Sequence, residues 1–159
     1  MKTNAYCLEC KQPISAGVNE FSQSLYGHPL CMKDQYLLEE SGATALVVDM
    51  YLALKSRNFP VVLGYCDGYN FIDIAIPGKL YIEFIDSNDY TNRRLMTDLA
   101  WSVYLLEKKI PTIVIPDTLL SDSQSFAHML NEISKSCRVM LNQISIMSLV
   151  PAFESVQLQ

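Results

Sequence analysis

Four residues near the N-terminus have the types and spacing of a metal-binding site. Cys7 and Cys10 form a Cys-x-x-Cys pair, and His28 and Cys31 form a His-x-x-Cys pair further along the chain. A tetrahedral Zn²⁺ site takes four nitrogen or sulfur ligands, which are often supplied as two close pairs. The spacing therefore predicts one structural zinc ion held by Cys7, Cys10, His28 and Cys31.

Asp34 is the alternative fourth ligand, because it follows Cys31 at the same spacing and would serve if His28 points away. Between the two pairs, residues 21–27 ("FSQSLYG") alternate apolar and polar side chains and end at a glycine, which predicts a short zinc-ribbon hairpin. Two unrelated thiols and a loop histidine are the competing interpretation. The arrangement resembles one half of a LIM-type zinc finger, and residues 1–36 form the predicted module. Such a finger could bind a protein, nucleic acid or the main domain of the same chain.

The composition limits the class of protein. Half of the 159 residues are hydrophobic and 18% are charged, which predicts a folded chain. The formal net charge of -5 argues against coating nucleic acid through the overall field. No apolar run has the length of a membrane span and no signal-peptide pattern is present, so we expect a cytoplasmic protein without membrane contact. Cys66 and Cys137 are predicted to be core thiols.

A main domain is predicted over residues 41–145. Apolar periodicity predicts a helix in 41–59 with Ser41 as a plausible N-cap, a second in 91–109 and a long third in 122–143. Short β-rich runs at 61–66 and 111–116, with a hairpin over 71–86, predict four strands. The order is helix, three strands, helix, strand, helix, which indicates an α/β (α+β) domain.

The hairpin contains a pair of carboxylates. A Pro77–Gly78–Lys79 turn sets Ile76 opposite Leu80, Ile74 opposite Ile82 and Ile72 opposite Phe84, so that six apolar side chains share one face. The same register sets Asp73 opposite Glu83 on the other face. Because adjacent carboxylates repel each other and are costly to bury, the pair suits Mg²⁺ or Mn²⁺. An edge hairpin with a solvated acidic face is the alternative.

This order of elements, with Asp73 on the second strand and Glu83 on the third, resembles the PD-(D/E)XK nuclease superfamily. Residues 41–120 resemble its branch related to very-short-patch repair endonucleases. The resemblance implies a restriction-endonuclease-like αβββαβ core in which Asp73 and Glu83 bind a catalytic metal ion, assisted by Asp86. The motif lysine, two residues after the glutamate, is replaced by Ile85.

Three functions follow as hypotheses. The first is a metal-dependent endonuclease acting on DNA phosphodiesters in restriction, repair or defence, with Arg93, Arg94, Lys108 and Lys109 as candidate phosphate contacts. Two solvated helix ends are the alternative for these four residues, and the favoured one for the lysines. The second is a nuclease-like fold that has lost its chemistry and serves as a binding module for protein or nucleic acid. The third is a zinc-finger adaptor on a scaffold domain.

The apolar C-terminal tail, residues 146–159, is expected to pack on the domain or on a second copy, as in a homodimer.

Overall fold

A computed structural model describes residues 5–68, 70–85, 103, 107, 109–120 and 122–147 of the chain. They form a mixed α/β structure with a two-stranded N-terminal hairpin and a four-stranded sheet flanked by helices. Among the described helices, none combines the length and apolar character that crossing a membrane requires.

The N-terminal module consists of a minimal hairpin and two helices. Strands β1 (Ala5–Tyr6) and β2 (Pro13–Ile14) pair antiparallel and are followed by α1 (Ala16–Tyr26) and α2 (Met32–Glu40). Helix α1 begins at Ser15, whose side chain accepts a hydrogen bond from the Val18 N–H, and ends at Gly27, which adopts φ 64°. Such an N-cap and a left-handed glycine at the C-terminus favour a helix.

The predicted hairpin over residues 21–27 is therefore wrong, because residues up to Tyr26 belong to α1. Ser22 is fully buried while Phe21 and Leu25 are about half exposed, so a polar side chain faces inward and apolar ones face outward. Phe21 and Leu25 are four residues apart, which is the spacing of one helix face, so the stretch does not have the two-residue period of a strand.

Helix α3 (Ala45–Ser56) begins later than predicted. Its N-cap is Thr44, whose hydroxyl accepts from the Val47 N–H, whereas Ser41 terminates α2 and donates its hydroxyl to the Leu38 carbonyl. The prediction that Ser41 caps this helix was wrong. Gly42 separates the two helices at φ 68°, a conformation that suits glycine.

The four-stranded sheet confirms the predicted order of strands. Its members are β3 (Val62–Cys66), β4 (Phe71–Ile76), β5 (Leu80–Ile85) and β6 (Thr112–Pro116), and they lie in this order across the sheet. The first three form an antiparallel meander, and β6 pairs parallel to β5. A parallel neighbour requires a crossover between β5 and β6. Val103 and Glu107, which fall in that connection, are helical.

The chain continues through a 3-10 turn (Asp117–Leu120) into the long helix α4 (Ser123–Met147). Leu130, Ile133 and Cys137 lie on the buried face of α4, as the apolar stripe predicted. Cys137 is thus a core thiol, whereas the prediction of a buried Cys66 was wrong, since Cys66 is exposed near the end of β3.

One buried cluster joins the N-terminal module to the sheet. It includes Cys7 and Leu30 from the module together with apolar residues of α3, β4, β5 and α4. A salt bridge adds to this junction, because Lys55 Nζ of α3 lies 3.0 Å from Glu9 Oε2 of the module and both side chains are mostly shielded. Burial, followed by the nearby Glu9 carboxylate, raises the pKa of Tyr51 on the same helix. The module is therefore docked on α3.

Candidate metal centre and acidic hairpin

The structure brings together three of the four predicted zinc ligands and replaces the fourth. The ligand atoms of Cys7, Cys10, Cys31 and Asp34 all lie within 4.8 Å of one another. Asp34, the alternative ligand, therefore completes the group. His28 is not part of it.

Two local structures position these side chains. Cys7 and Cys10 lie in the loop between β1 and β2, where the Cys7 N–H donates to the Gln12 carbonyl and the Lys11 N–H donates to the Cys7 carbonyl. Lys11 has φ 59°, which lets the loop turn back tightly. Cys31 is the N-cap of α2, and Asp34 lies three residues later in its first turn. Residues three apart on a helix face the same side, so Cys31 and Asp34 point together.

The distances suit a tetrahedral site. Two thiolates bound to one zinc ion lie about 3.8 Å apart, since each Zn–S bond is about 2.3 Å. The Sγ atoms of Cys10 and Cys31 are 3.8 Å apart. Asp34 Oδ2 lies 3.0 Å from Cys7 Sγ and 3.1 Å from Cys31 Sγ, and the thiols donate these hydrogen bonds. A metal ion would replace the shared protons, and a set of three sulfurs and one carboxylate oxygen suits Zn²⁺.

The electrostatics of the group are those of protonated thiols around a carboxylate. Burial, followed by the hydrogen bond to Asp34, raises the pKa of Cys7 to about 12. The same two causes raise the pKa of Cys31. Burial opposes ionisation of Asp34, but hydrogen bonds from Cys7 and Cys31 outweigh it and lower the pKa of this carboxyl. The carboxylate is therefore held in its ligating form.

Buried polar side chains hold the loop that carries Cys31. Ser22 Oγ donates to the His28 carbonyl at 2.6 Å and accepts from the Leu30 N–H at 2.9 Å. Gln35 Nε2 donates to the Leu30 carbonyl at 2.9 Å, and the Cys31 N–H donates to Cys7 Sγ at 3.3 Å. These bonds fix the approach of Cys31 to the loop of Cys7 and Cys10.

His28 has a different place. Its carbonyl accepts a hydrogen bond from the Ser22 hydroxyl, and its imidazole lies near Asp49 of α3, whose carboxyl pKa is raised by burial. The signal that identified Asp34 was present in the sequence, since Cys31-x-x-Asp34 repeats the spacing of Cys7-x-x-Cys10. The helical start at Cys31 decides between the two candidates.

In the hairpin, the predicted register is confirmed near the turn. Ile76 pairs with Leu80 and Ile74 pairs with Ile82. Continued by one residue, this register would set Asp73 opposite Glu83, but the described pairing of β4 with β5 ends at Ile74. Instead, Asp73 Oδ2 accepts a hydrogen bond from the Phe84 N–H at 2.8 Å.

The pairing of β4 with its other neighbour, β3, is also irregular near Asp73. Leu63 pairs with Ile74 and Tyr65 pairs with Ile72, and between them Gly64 has φ 59°. The register places Gly64 opposite Asp73, and both strands change face at this position, since Leu63 packs with the cluster of Ile74 whereas Tyr65 packs with that of Ile72. Ile72 accordingly packs in a separate cluster with Ala75 and Tyr81. The prediction that Ile72 shares a face with Ile74 was wrong, because β4 is irregular at Asp73.

The acidic pair thus lies on neighbouring strands, and both side chains are partly buried. Neither Asp73 nor Glu83 belongs to a group of three potential ligands within the part of the chain that the structure describes. Asp86, the third predicted acidic residue, lies outside the described residues. Arg93, Arg94 and Lys108 lie outside them too, and Lys109 is exposed with φ 56°.

In comparisons with protein-family models, curated proteins and solved structures, no match to this chain was found. A function for the chain is therefore inferred from its own residues.

Proposed function

We propose that the chain is a nuclease-like protein of the PD-(D/E)XK type that acts on DNA phosphodiesters and carries a structural zinc finger. The observation that carries the proposal is the location of Asp73 and Glu83 on β4 and β5, the two central strands of a sheet whose fourth strand is parallel to the third. Carboxylates on adjacent strands are the ligands that Mg²⁺ and Mn²⁺ prefer, and one or two carboxylates are enough when waters complete the shell.

A divalent ion held by Asp73 and Glu83 would supply activation of water and stabilisation of phosphoryl charge. The protein's own contribution is to fix the two carboxylates. The hydrogen bond from the Phe84 N–H fixes the position of the Asp73 carboxylate on β4. Asp86 follows β5 directly and is the proposed assisting carboxylate.

The replacement of the motif lysine by Ile85 lowers the expected rate of DNA cleavage. Ile85 lies two residues after Glu83, on the same face of β5 by the alternation of a strand, and it has no charge to place beside the phosphate. Removing one preorganised charge of this kind costs on the order of 10²–10³ in rate. We therefore expect weak cleavage that Mn²⁺ supports better than Mg²⁺, because Mn²⁺ binds a given ligand set more tightly.

A nicking assay tests the proposal. Supercoiled plasmid and single-stranded DNA are incubated with the purified chain and Mg²⁺, Mn²⁺ or no added cation. Slow nicking with Mn²⁺ is expected, and it should disappear in Glu83→Gln, which removes the charge with little change of shape. The matched control is Glu107→Gln, an exposed residue in the β5–β6 connection. Equal cleavage by Glu83→Gln and the parent would refute the assignment.

The N-terminal group is proposed to hold one structural Zn²⁺. Four protein ligands leave no open position for a substrate, so the ion would stabilise a segment too short to build its own core. Cys7 belongs both to this group and to the buried cluster shared with the main domain. The zinc would therefore stabilise the docking of the module as well as the module itself.

The second candidate function is a catalytically inactive binding module that contacts protein or nucleic acid. The observation favouring it is the hydrogen bond that Asp73 accepts from the Phe84 N–H. This bond gives the carboxylate a structural role that needs no metal ion. Absence of cleavage with either cation, together with a retained fold, would favour this function over the nuclease.

A further inference from the structure

A polar cleft of about 410 Å³ lies between the end of α3 and the outer face of α4. Its lining includes three cationic side chains, Arg57, Lys135 and Arg138, and one carboxylate, Glu132. With His128 neutral, the lining carries a net positive charge, although the whole chain carries -5. A local reversal of sign against an acidic background creates an attractive field for an anion.

The cleft residues on α4 form one stripe. His128, Asn131, Lys135 and Arg138 recur at intervals of three and four residues, which places them along one face of the helix. From His128 to Arg138 the stripe extends about 15 Å, since a helix rises 1.5 Å per residue. Lys135 and Arg138 are exposed, so their charges face solvent.

Arg57 is held in place at the edge of this stripe. It is the C-cap residue of α3, and its Nη1 atom donates to Ser134 Oγ at 2.8 Å, to Asn131 Oδ1 at 3.0 Å and to the Leu130 carbonyl at 3.3 Å. These three bonds use a single nitrogen. The Nη2 and Nε atoms of the same guanidinium make no hydrogen bond within the described part of the chain. They form a preorganised fork of the kind that recognises phosphate.

Glu132 neutralises part of the charge. Glu132 forms a hydrogen-bonded ion pair with Lys135, and this hydrogen bond, followed by the charge of Lys135, lowers the pKa of Glu132. The pairing is one turn of helix away from Arg138. Arg57 and Arg138 therefore keep their full charge available to a ligand.

We propose that this cleft binds consecutive phosphate groups of a nucleic-acid backbone. The length of the stripe suits several phosphates, which recur about every 3.4 Å of axis along each strand. The lining contains no phenylalanine, tyrosine or tryptophan on which a base could stack, so the contacts would be to the backbone rather than to bases. This inference rests on the proposed function only for the identity of the ligand as nucleic acid. The cleft itself is lined by residues outside the acidic hairpin.

Fluorescence anisotropy with labelled 20-mer single-stranded and duplex DNA tests the inference, without added Mg²⁺ or Mn²⁺ so that cleavage plays no part. The test protein is the double variant Lys135→Gln/Arg138→Gln, because Arg57 also links α3 to α4 and its loss would perturb packing. The control is Lys79→Gln, in the β4–β5 turn and outside the cleft lining. Thermal unfolding of each variant shows that the fold is retained.

We expect the double variant to bind duplex DNA at least about tenfold more weakly than the parent. Its salt slope should be smaller by roughly 0.9 to 1.8, since each phosphate contact contributes about 0.9 and Lys135 is also paired with Glu132. Lys79→Gln should bind within about twofold of the parent. An equal loss of DNA affinity in the double variant and in Lys79→Gln would mean that only net charge matters, and it would overturn the proposal. Unchanged binding by the double variant would overturn it too, as would a parent that binds no DNA. If inorganic pyrophosphate binds in a manner dependent on Lys135 and Arg138 while DNA does not, the ligand is a free phosphate and the backbone assignment is wrong. Because the binding assay does not depend on cleavage, each of these outcomes can still be distinguished if the nuclease assay shows no activity.

Discussion

The carboxylate of Asp73 accepts a hydrogen bond from the backbone N–H of Phe84, joining β4 to β5 where their regular pairing ends. This bond gives Asp73 a structural role in addition to the proposed metal-binding one. The two roles depend on different properties of the side chain. The bond needs an acceptor oxygen, whereas metal binding needs negative charge.

The two roles can be separated by a pair of variants. Asp73→Asn keeps an oxygen for the Phe84 N–H but loses the charge, so it should keep its stability and lose Mn²⁺-dependent nicking. Asp73→Ala should lose both, at a cost of about 1 kcal/mol in the free energy of unfolding, because a partly buried N–H is left unpaired. Denaturant unfolding and the nicking assay measure the two effects. Equal destabilisation by Asn and Ala would contradict the structural role.

Ile85→Lys should restore the charge that the superfamily motif places beside Glu83. We expect the rate of nicking to rise by about 10²-fold, since a cation on that face of β5 would stabilise phosphate charge. The long lysine side chain can pass its apolar stem through the partly buried position of Ile85. Ile85→Met is the matched control, being unbranched and uncharged. A similar gain in the methionine variant would mean that shape, and not charge, is responsible.

Asp34 and His28 should differ sharply in their effect on zinc. Structural zinc sites bind with about 10–16 kcal/mol shared among four ligands, so losing one ligand in Asp34→Ala should weaken binding by a few kcal/mol, about 10²-fold or more. His28→Ala should keep one zinc ion per chain, and Asp34→Cys should bind as the parent does. Elemental analysis and competition with a chromophoric chelator provide the measurement. Loss of zinc in His28→Ala with retention in Asp34→Ala would reverse the assignment.

Much of the fold could be predicted from the sequence, because its signals are local. The order of the four strands and of the helices before and after them followed from apolar periodicity, whereas most of the helix predicted over 91–109 lies outside the described residues. The turn at Gly78 fixed the register of Ile76 with Leu80. The buried face of α4 followed from its apolar stripe. These patterns depend on neighbours a few residues apart, which the sequence displays directly.

The remaining features depend on contacts that local patterns do not display. The burial of Ser22 is decided by the loop it bonds. The turn of Ile72 away from Ile74 lies opposite Gly64 on a neighbouring strand. The cleft between α3 and α4 brings Arg57 to Ser134, which lies 77 residues further along the chain. Sequence spacing holds no direct signal for such a pairing.

Ser22 should be the most sensitive serine of α1. Ser22→Ala removes the donor to the His28 carbonyl and the acceptor of the Leu30 N–H, and leaving these buried groups unpaired should lower the free energy of unfolding by about 1–3 kcal/mol. Zinc affinity should fall as well, because this loop positions Cys31. Ser24→Ala is the control, since Ser24 is exposed and bonds only the Phe21 carbonyl of its own helix. Denaturant unfolding with saturating zinc should show little change there.

Asp122 should make the stability of α4 depend on pH. Its carboxylate caps the helix, accepting from the backbone N–H groups of Gln124 and Ser125, both at 2.9 Å, and from the Ser125 hydroxyl. These bonds, that of the Ser125 N–H foremost, lower the pKa of Asp122 below its ordinary value of 3.8. Because the pKa is lower in the folded state, the stabilisation is present above 3.8 and is lost as the pH falls through the folded-state pKa.

Asp122→Asn isolates this effect, because the amide can still accept a hydrogen bond but carries no charge at any pH. The parent should unfold at a higher temperature than the variant near pH 7, and the difference should close on acidification below the ordinary carboxyl pKa. Thermal unfolding followed by circular dichroism at low ionic strength measures it, since salt screens an exposed cap. Asp122→Ala should be less stable than Asp122→Asn throughout, because it also removes the acceptor. A parent–Asn difference that widens as the pH falls would contradict the sign of the linkage and the role of Asp122 as a charged cap.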